Sequence, residues 1–221
     1  MLKSDVNLFN HLVRKADVAG CCSKLNEPTV LEYPSKTNDL IEYYFYLYKA
    51  LYASYNRDYA SAIGLFKIAE KKLQNIPDEI EVAEFHTKVA NLYMMLRQSL
   101  ISLHYIQNAI DIFKGHDGYE RRLAAAFVIA ATNFMDIGDF KRAENYYTKA
   151  LHISNQLNDH FLASQLYHNI SILYAEVGES KKCIDALEKA FSFPSFKIPP
   201  SMKPLVHTLF DHLLAHTPAY R

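Results

Sequence analysis

The sequence predicts an all-α fold, a short array of stacked helical hairpins, on three observations. The first is a fourfold internal repeat with spacings of 40, 41 and 40 residues. Ala62, Ser102, Ala143 and Cys183 form a column of small residues, and Phe66, Ile106, Tyr147 and Leu187 form a bulky column four residues later. Ala69, Ala109, Ala150 and Ala190 follow after three more. A second small column, Ala50, Ala90, Ala131 and Ser171, has Ala53, Tyr93, Phe134 and Tyr174 as companions, with Ala53 the weak member. Small residues let two helices approach closely, and large ones fill the gaps between successive pairs. The second observation is that glycine and proline are few, six and eight, and that every proline falls outside the repeat helices. The third is a 50% hydrophobic composition, enough for a continuous buried seam between hairpins.

This is the tetratricopeptide (TPR) pattern, whose arrays present a concave binding face. In chain order, Val6, Phe9, Leu12, Val13 and Ala16 fall at helical spacing and predict an amphipathic helix within residues 1–37. Residues 21–36, with Pro28 and Pro34, read as a connector. Asn38 reads as an N-cap, with Asp39 and Glu42 well placed in the first turn that follows. The array occupies 38–192, with helical pairs over about 38–76, 78–114, 119–156 and 160–192. Gly138 and Gly178 turn the chain inside the last two pairs, where a left-handed residue is cheapest. Arg57-Asp58-Tyr59 stands in for that turn in the first copy, and Arg97-Gln98-Ser99 makes the second copy the degenerate one.

A typical TPR repeats about every 34 residues. The extra residues are expected after each second helix, at 75–78, 114–119 and 155–159, as longer helices and a looser turn. Residues 193–221 form a divergent tail in which Leu205, Val206, Leu209, Leu213 and Leu214 predict a capping helix over about 202–216. Asp211 stands where a fifth repeat needs a small residue. An uncovered array end exposes an apolar face, so a monomer or a homodimer is expected.

Composition excludes several function classes. The formal charge is zero, with 24 basic and 24 acidic residues, which speaks against nucleic acid. No apolar run is long enough to span a membrane, and Asp5 and Asn7 interrupt any signal-peptide core. Cys21, Cys22 and Cys183 lack CxxC spacing and suit a reducing cytoplasm. His212 and His216 stand four apart, yet a zinc site needs further ligands and no HExxH motif occurs. No GxSxG and no glycine-rich phosphate loop is present, so neither a metal, a cofactor nor a catalytic residue is assigned.

The first helix of each pair is the better place to look for a site. Its groove-facing positions include Tyr44, Leu47, Leu51 and Tyr55 in copy one, and Glu84, Thr87, Asn91 and Met95 in copy two. Copy three offers Val128, Thr132 and Asp136, and copy four Gln165, His168, Asn169 and Glu176. Asparagine side chains can bond both the N–H and the C=O of an extended peptide. Carboxylates such as Asp136 and Glu176 suit a peptide's amino terminus or a basic side chain. The candidate contacts are therefore Asn169, Asp136, Asn91, Gln165, His168, Glu176, Thr132 and Glu84.

Several stretches carry a family resemblance. Leu40-Ile41-Glu42-Tyr43-Tyr44-Phe45-Tyr46, Ala69-Glu70-Lys71-Lys72-Leu73 and Asp78-Glu79-Ile80-Glu81-Val82-Ala83-Glu84-Phe85 come first. Lys88-Val89-Ala90, Phe127-Val128-Ile129-Ala130 and Leu166-Tyr167-His168-Asn169-Ile170 continue in the same order. Together they resemble the Rap proteins of bacilli, TPR response-regulator aspartate phosphatases inhibited by short Phr peptides. The resemblance covers about 38–192 and implies that Asn169 hydrogen-bonds the backbone of a bound peptide, with Asp136 a second contact. Family members carry an N-terminal three-helix bundle that docks the response regulator and supplies a catalytic glutamine. Here 37 residues precede the array and no glutamine occurs before Gln74. The expectation is a cytoplasmic, Rap-like regulator of quorum-sensing and phosphorelay signalling, shortened at both ends. It would bind a Phr-like peptide or a response regulator without catalysis. The alternatives are an active response-regulator phosphatase and a passive TPR adaptor.

Overall fold

The computed structural model describes residues 39–193. Over that span the chain is all-α, as the repeat predicts, with eight helices and no strand among the described residues. They are α1 (Asp39–Tyr55), α2 (Tyr59–Leu73), α3 (Glu79–Met95), α4 (Ser99–Lys114), α5 (Glu120–Asp136), α6 (Phe140–Gln156), α7 (His160–Val177) and α8 (Ser180–Ser192). The helix expected within 1–37, the Asn38 cap and the capping helix over 202–216 lie outside the described residues. The chain divides into two compact units between Leu92 and Tyr93, inside α3.

In the first unit α1 packs along α2, and Phe85 of α3 meets both. Its buried ring lies 6.1 Å from that of Tyr43 and 5.9 Å from that of Phe66, centroid to centroid. Deleting such a ring costs about 3–5 kcal/mol. Glu81 then accepts hydrogen bonds from Tyr43 at 2.6 Å and Tyr44 at 2.9 Å, which ties the start of α3 to α1. Burial first, and the carboxylate second, push both phenols above their ordinary range. Lys72 of α2 pairs with Asp39 at 3.2 Å and with Glu42, and Asn75 donates to Asp39 at 2.8 Å, which fastens the opening turn of α1.

In the second unit α4 packs on α5, α5 on α6, α6 on α7 and α7 on α8. The small columns are the seam. Ser102, Ala109, Ala131, Ala143, Ala150 and Ala190 have no exposed surface at all. The bulky column behind them, Ile106, Tyr147 and Leu187, is buried as well. Extra methylenes at a closely packed position cost about 1–3 kcal/mol, so the helices sit where alanine and serine allow. Cys183 belongs to this seam, and burial pushes its thiol up, away from nucleophilic use.

The turn inside each pair is the same in all four copies. Arg57, Arg97, Gly138 and Gly178 occupy one register and all take a left-handed backbone, with φ of 62°, 59°, 78° and 79°. The amide that follows each left-handed residue closes the turn. Asp58, Gln98, Asp139 and Glu179 donate to the carbonyls of Ala53, Tyr93, Phe134 and Tyr174 at 2.8–2.9 Å. Aspartate then caps the next helix where it is present. Asp58 accepts from the Ser61 amide and Asp139 from that of Arg142, whereas Gln98 makes no side-chain cap. The degenerate second copy therefore keeps the turn without its glycine and without its cap.

The extra length of each repeat is taken up by long helices, as expected, and by the links after each second helix, which run over 74–78, 115–119 and 157–159. Helices α1 to α7 run 15–18 residues. Helix α6 continues to Gln156 and leaves only Leu157–Asp159 before α7. That short link turns through left-handed Asn158, 40 residues after left-handed Gly118.

Replacing Arg57 by glycine removes a Cβ from a left-handed backbone. It should raise stability by about 0.5–1 kcal/mol in a urea melt, after allowance for the freer unfolded chain. Gln98→Asp should add about 1 kcal/mol by supplying the missing cap. A neutral or destabilising result at both sites would contradict this reading of the turns.

Candidate functional site

Helices α5 and α7 each bury one face and leave another open. On α7 the buried set is Ala163, Leu166, Ile170 and Leu173. A neighbouring set, Gln165, Asn169, Ile172 and Glu176, recurs at helical spacing and is exposed, with Asn169 half-buried. The same register on α5 holds Ala125, Ile129, Thr132 and Asp136, none of them buried. The repeat therefore brings five of the expected contacts onto matching faces: Thr132 and Asp136 on α5, Gln165, Asn169 and Glu176 on α7. His168 lies beside that face and is half-buried.

The remaining two, Glu84 and Asn91, lie on α3 in the first unit. Asn91 is exposed, while Glu84 is half-buried with Lys88 at 3.4 Å, one turn on. Thr87 donates to the Ala83 carbonyl at 2.8 Å. Leu47 of α1 does not face a groove. It is 1% exposed and belongs to the core, because the first copy fills with leucine the place that later copies give to Thr87, Val128 and His168.

The open face of α5 is held from beneath. Thr132 donates to the Val128 carbonyl at 3.0 Å and lies 3.2 Å from the hydroxyl of buried Tyr147. That hydroxyl also lies 3.5 Å from the Met135 sulfur. Asp136 forms an ion pair with Arg97. On α7, Tyr174 donates to Glu144 at 2.6 Å, and burial together with that carboxylate raises its phenol to about 12. Such anchoring fixes the backbone of both helices, so the open side chains are presented from rigid elements.

One polar feature escaped the reading of the sequence. Asn133 has no exposed surface and donates from Nδ2 to Ser102 Oγ and to the Ile129 carbonyl, both at 2.8 Å. Its Oδ1 accepts no hydrogen bond among the described residues. The signal was available: at this register the other copies carry Tyr52, Leu92 and Leu173, and Ser102 is the polar member of its own small column. Among the described residues no three His, Cys, Asp or Glu side chains are grouped to hold a metal ion, and His212 and His216 lie outside them.

Burial holds the His168 imidazole below its ordinary pKa of 6.5. The unfolded chain therefore takes up the proton first as pH falls, and this contribution to stability is lost as pH drops below about 6.5 towards the folded value. In an NMR titration His168 should titrate below 6.5, and His168→Gln should flatten the fall in Tm between about pH 7 and pH 5. A His168 pKa at or above 6.5 would contradict its placement against the α7 seam.

Comparison with known proteins agrees with this architecture. RapK, a regulatory protein of Bacillus subtilis (strain 168), is 49% identical over 162 residues, which is 73% of this chain and 44% of RapK. RapG, from the same organism, is 42% identical over 154 residues, 70% of this chain and 42% of RapG. The chain thus matches less than half the length of either relative. Among solved structures, a Rap protein complexed with Competence and Sporulation Factor superposes with a TM-score of 0.74 at 28% identity, over 86% of this chain and 53% of that one. No family model matches. In sequence and in fold alike, the chain closely matches the Rap family of Bacillus regulators.

Proposed function

We propose that this chain is a Rap-like regulatory protein of bacterial quorum-sensing and phosphorelay signalling. It acts in the cytoplasm and binds a short, Phr-type signalling peptide along the open faces of α5 and α7. A response regulator is the protein through which binding would be read out. The observation that carries the reading is the placement of Asn169. It stands in the middle of the open face of α7, half-buried, with Gln165 one turn before it and Glu176 two turns after.

A half-buried amide competes with less water for a ligand than an exposed one does. Its donor and acceptor together match the repeating N–H and C=O of an extended backbone. Gln165 can add a second amide, and Thr132 a hydroxyl that is already oriented by the Val128 carbonyl. Asp136 and Glu176 give the same face a negative end, which suits an amino terminus or a basic side chain. The likeness to a Rap protein solved with Competence and Sporulation Factor supports a signalling ligand over a metabolite.

The test is a thermal-melt screen of the chain against Phr-type penta- and hexapeptides, repeated with Asn169→Ala. A peptide at about 100 times its Kd stabilises by roughly 2.7 kcal/mol, and the variant should lose most of that shift. If no peptide shifts a chain that melts cooperatively, the peptide reading fails and a protein-binding adaptor takes its place.

A further inference from the structure

Asp136 is the last residue of α5, where the helix macrodipole already makes the potential negative and a carboxylate is disfavoured. The chain supplies the compensating cation itself. Arg97, 39 positions earlier in the turn between α3 and α4, places Nη1 against Asp136 Oδ1. The arginine side chain is 78% exposed and the aspartate only 18%, so the guanidinium lies over the carboxylate from the solvent side.

The next repeat shows what is absent without it. Glu176 occupies the register of Asp136 at the end of α7, and the turn that would deliver its cation carries Gly138 where Arg97 stands. Glu176 forms no ion pair with any described residue. Arg97 also holds a left-handed backbone at a position that glycine fills with less strain in the last two copies. Arg57 shares that backbone, so the ion pair rather than the strain singles out Arg97.

We propose that Arg97 is an internal stand-in for a ligand's cation at Asp136. A peptide that brings a guanidinium or ammonium group to this carboxylate must first displace Arg97, and the exchange sets the preference of the groove for basic peptides. The inference rests on the peptide-binding reading above. Its physics is a near balance: one partly exposed ion pair replaces another, and such pairs are weak and screened by salt. The arginine can therefore leave without disturbing the fold, and its removal frees the site for a competitor.

The experiment is calorimetric titration of the chain, R97Q, R97K and D136N with pentapeptides carrying one arginine at each position in turn. Each peptide is paired with its citrulline twin. R97Q should tighten binding of an arginine peptide about two- to fivefold and leave its twin unchanged. R97K should behave like the starting chain, and D136N should erase the difference between twins. Peptides that bind but respond alike to R97Q, arginine or citrulline, overturn this inference and leave the peptide reading intact. No binding to any of the four proteins overturns both.

Discussion

The contact on which the rest of this structure depends is the close approach of helices across alanine and serine. Ala131, Ala143 and Ala150 expose no surface, and neither does Ser102. A larger side chain at any of them would spread a helix pair, at a cost of about 1–3 kcal/mol. Once the spacing is fixed, so is the rotation of each helix, because only one face carries the small residues. The open faces of α5 and α7 are thus a consequence of the seam. Gln165, Asn169 and Glu176 line up at intervals of four and seven residues, beside the buried stripe of Leu166, Ile170 and Leu173.

Polar groups are managed differently on the two sides of that seam. Inside it, Asn133 donates to Ser102 Oγ at 2.8 Å, which links α4 to α5 with a directionality that apolar contact lacks. On the open side, Thr132 is tied to its own helix while Asp136 is covered by an exposed arginine. A face built this way holds its backbone in place and keeps the guanidinium of Arg97 in solvent. That combination suits reversible capture of a short peptide, since little ordering is required of the protein on binding.

Much of the fold was legible because a 40-residue period repeats the same packing problem four times. The columns at Ala62 and Ala69, and the glycine turns at Gly138 and Gly178, could be read directly. At Arg57 and Arg97 register placed the turn but not its geometry, since nothing in arginine announces a left-handed backbone. The closing bond to Ala53 or Tyr93 holds it there against a strain of about 1–2 kcal/mol. The end of α6 at Gln156 coincides with the bound read for its pair, and of the two asparagines that resemble turn residues, Asn155 and Asn158, only the second leaves the helix. At the candidate site, register supplied positions but no partners. The pairing of Arg97 with Asp136 joins residues 39 apart, which no local pattern records. Leu47 looked open by register and is core, because one copy need not treat a position as the others do.

The central claim is that a peptide lies along α5 and α7, and chemical-shift mapping tests it most directly. An isotope-labelled chain would be titrated with the peptide that gives the largest melting shift. The account predicts that the strongest perturbations fall on Thr132, Asp136, Gln165, Asn169 and Glu176, with α6 and α8 little changed. Strong perturbations confined to α6 and α8 would contradict it and move the binding surface to the second helices of the pairs.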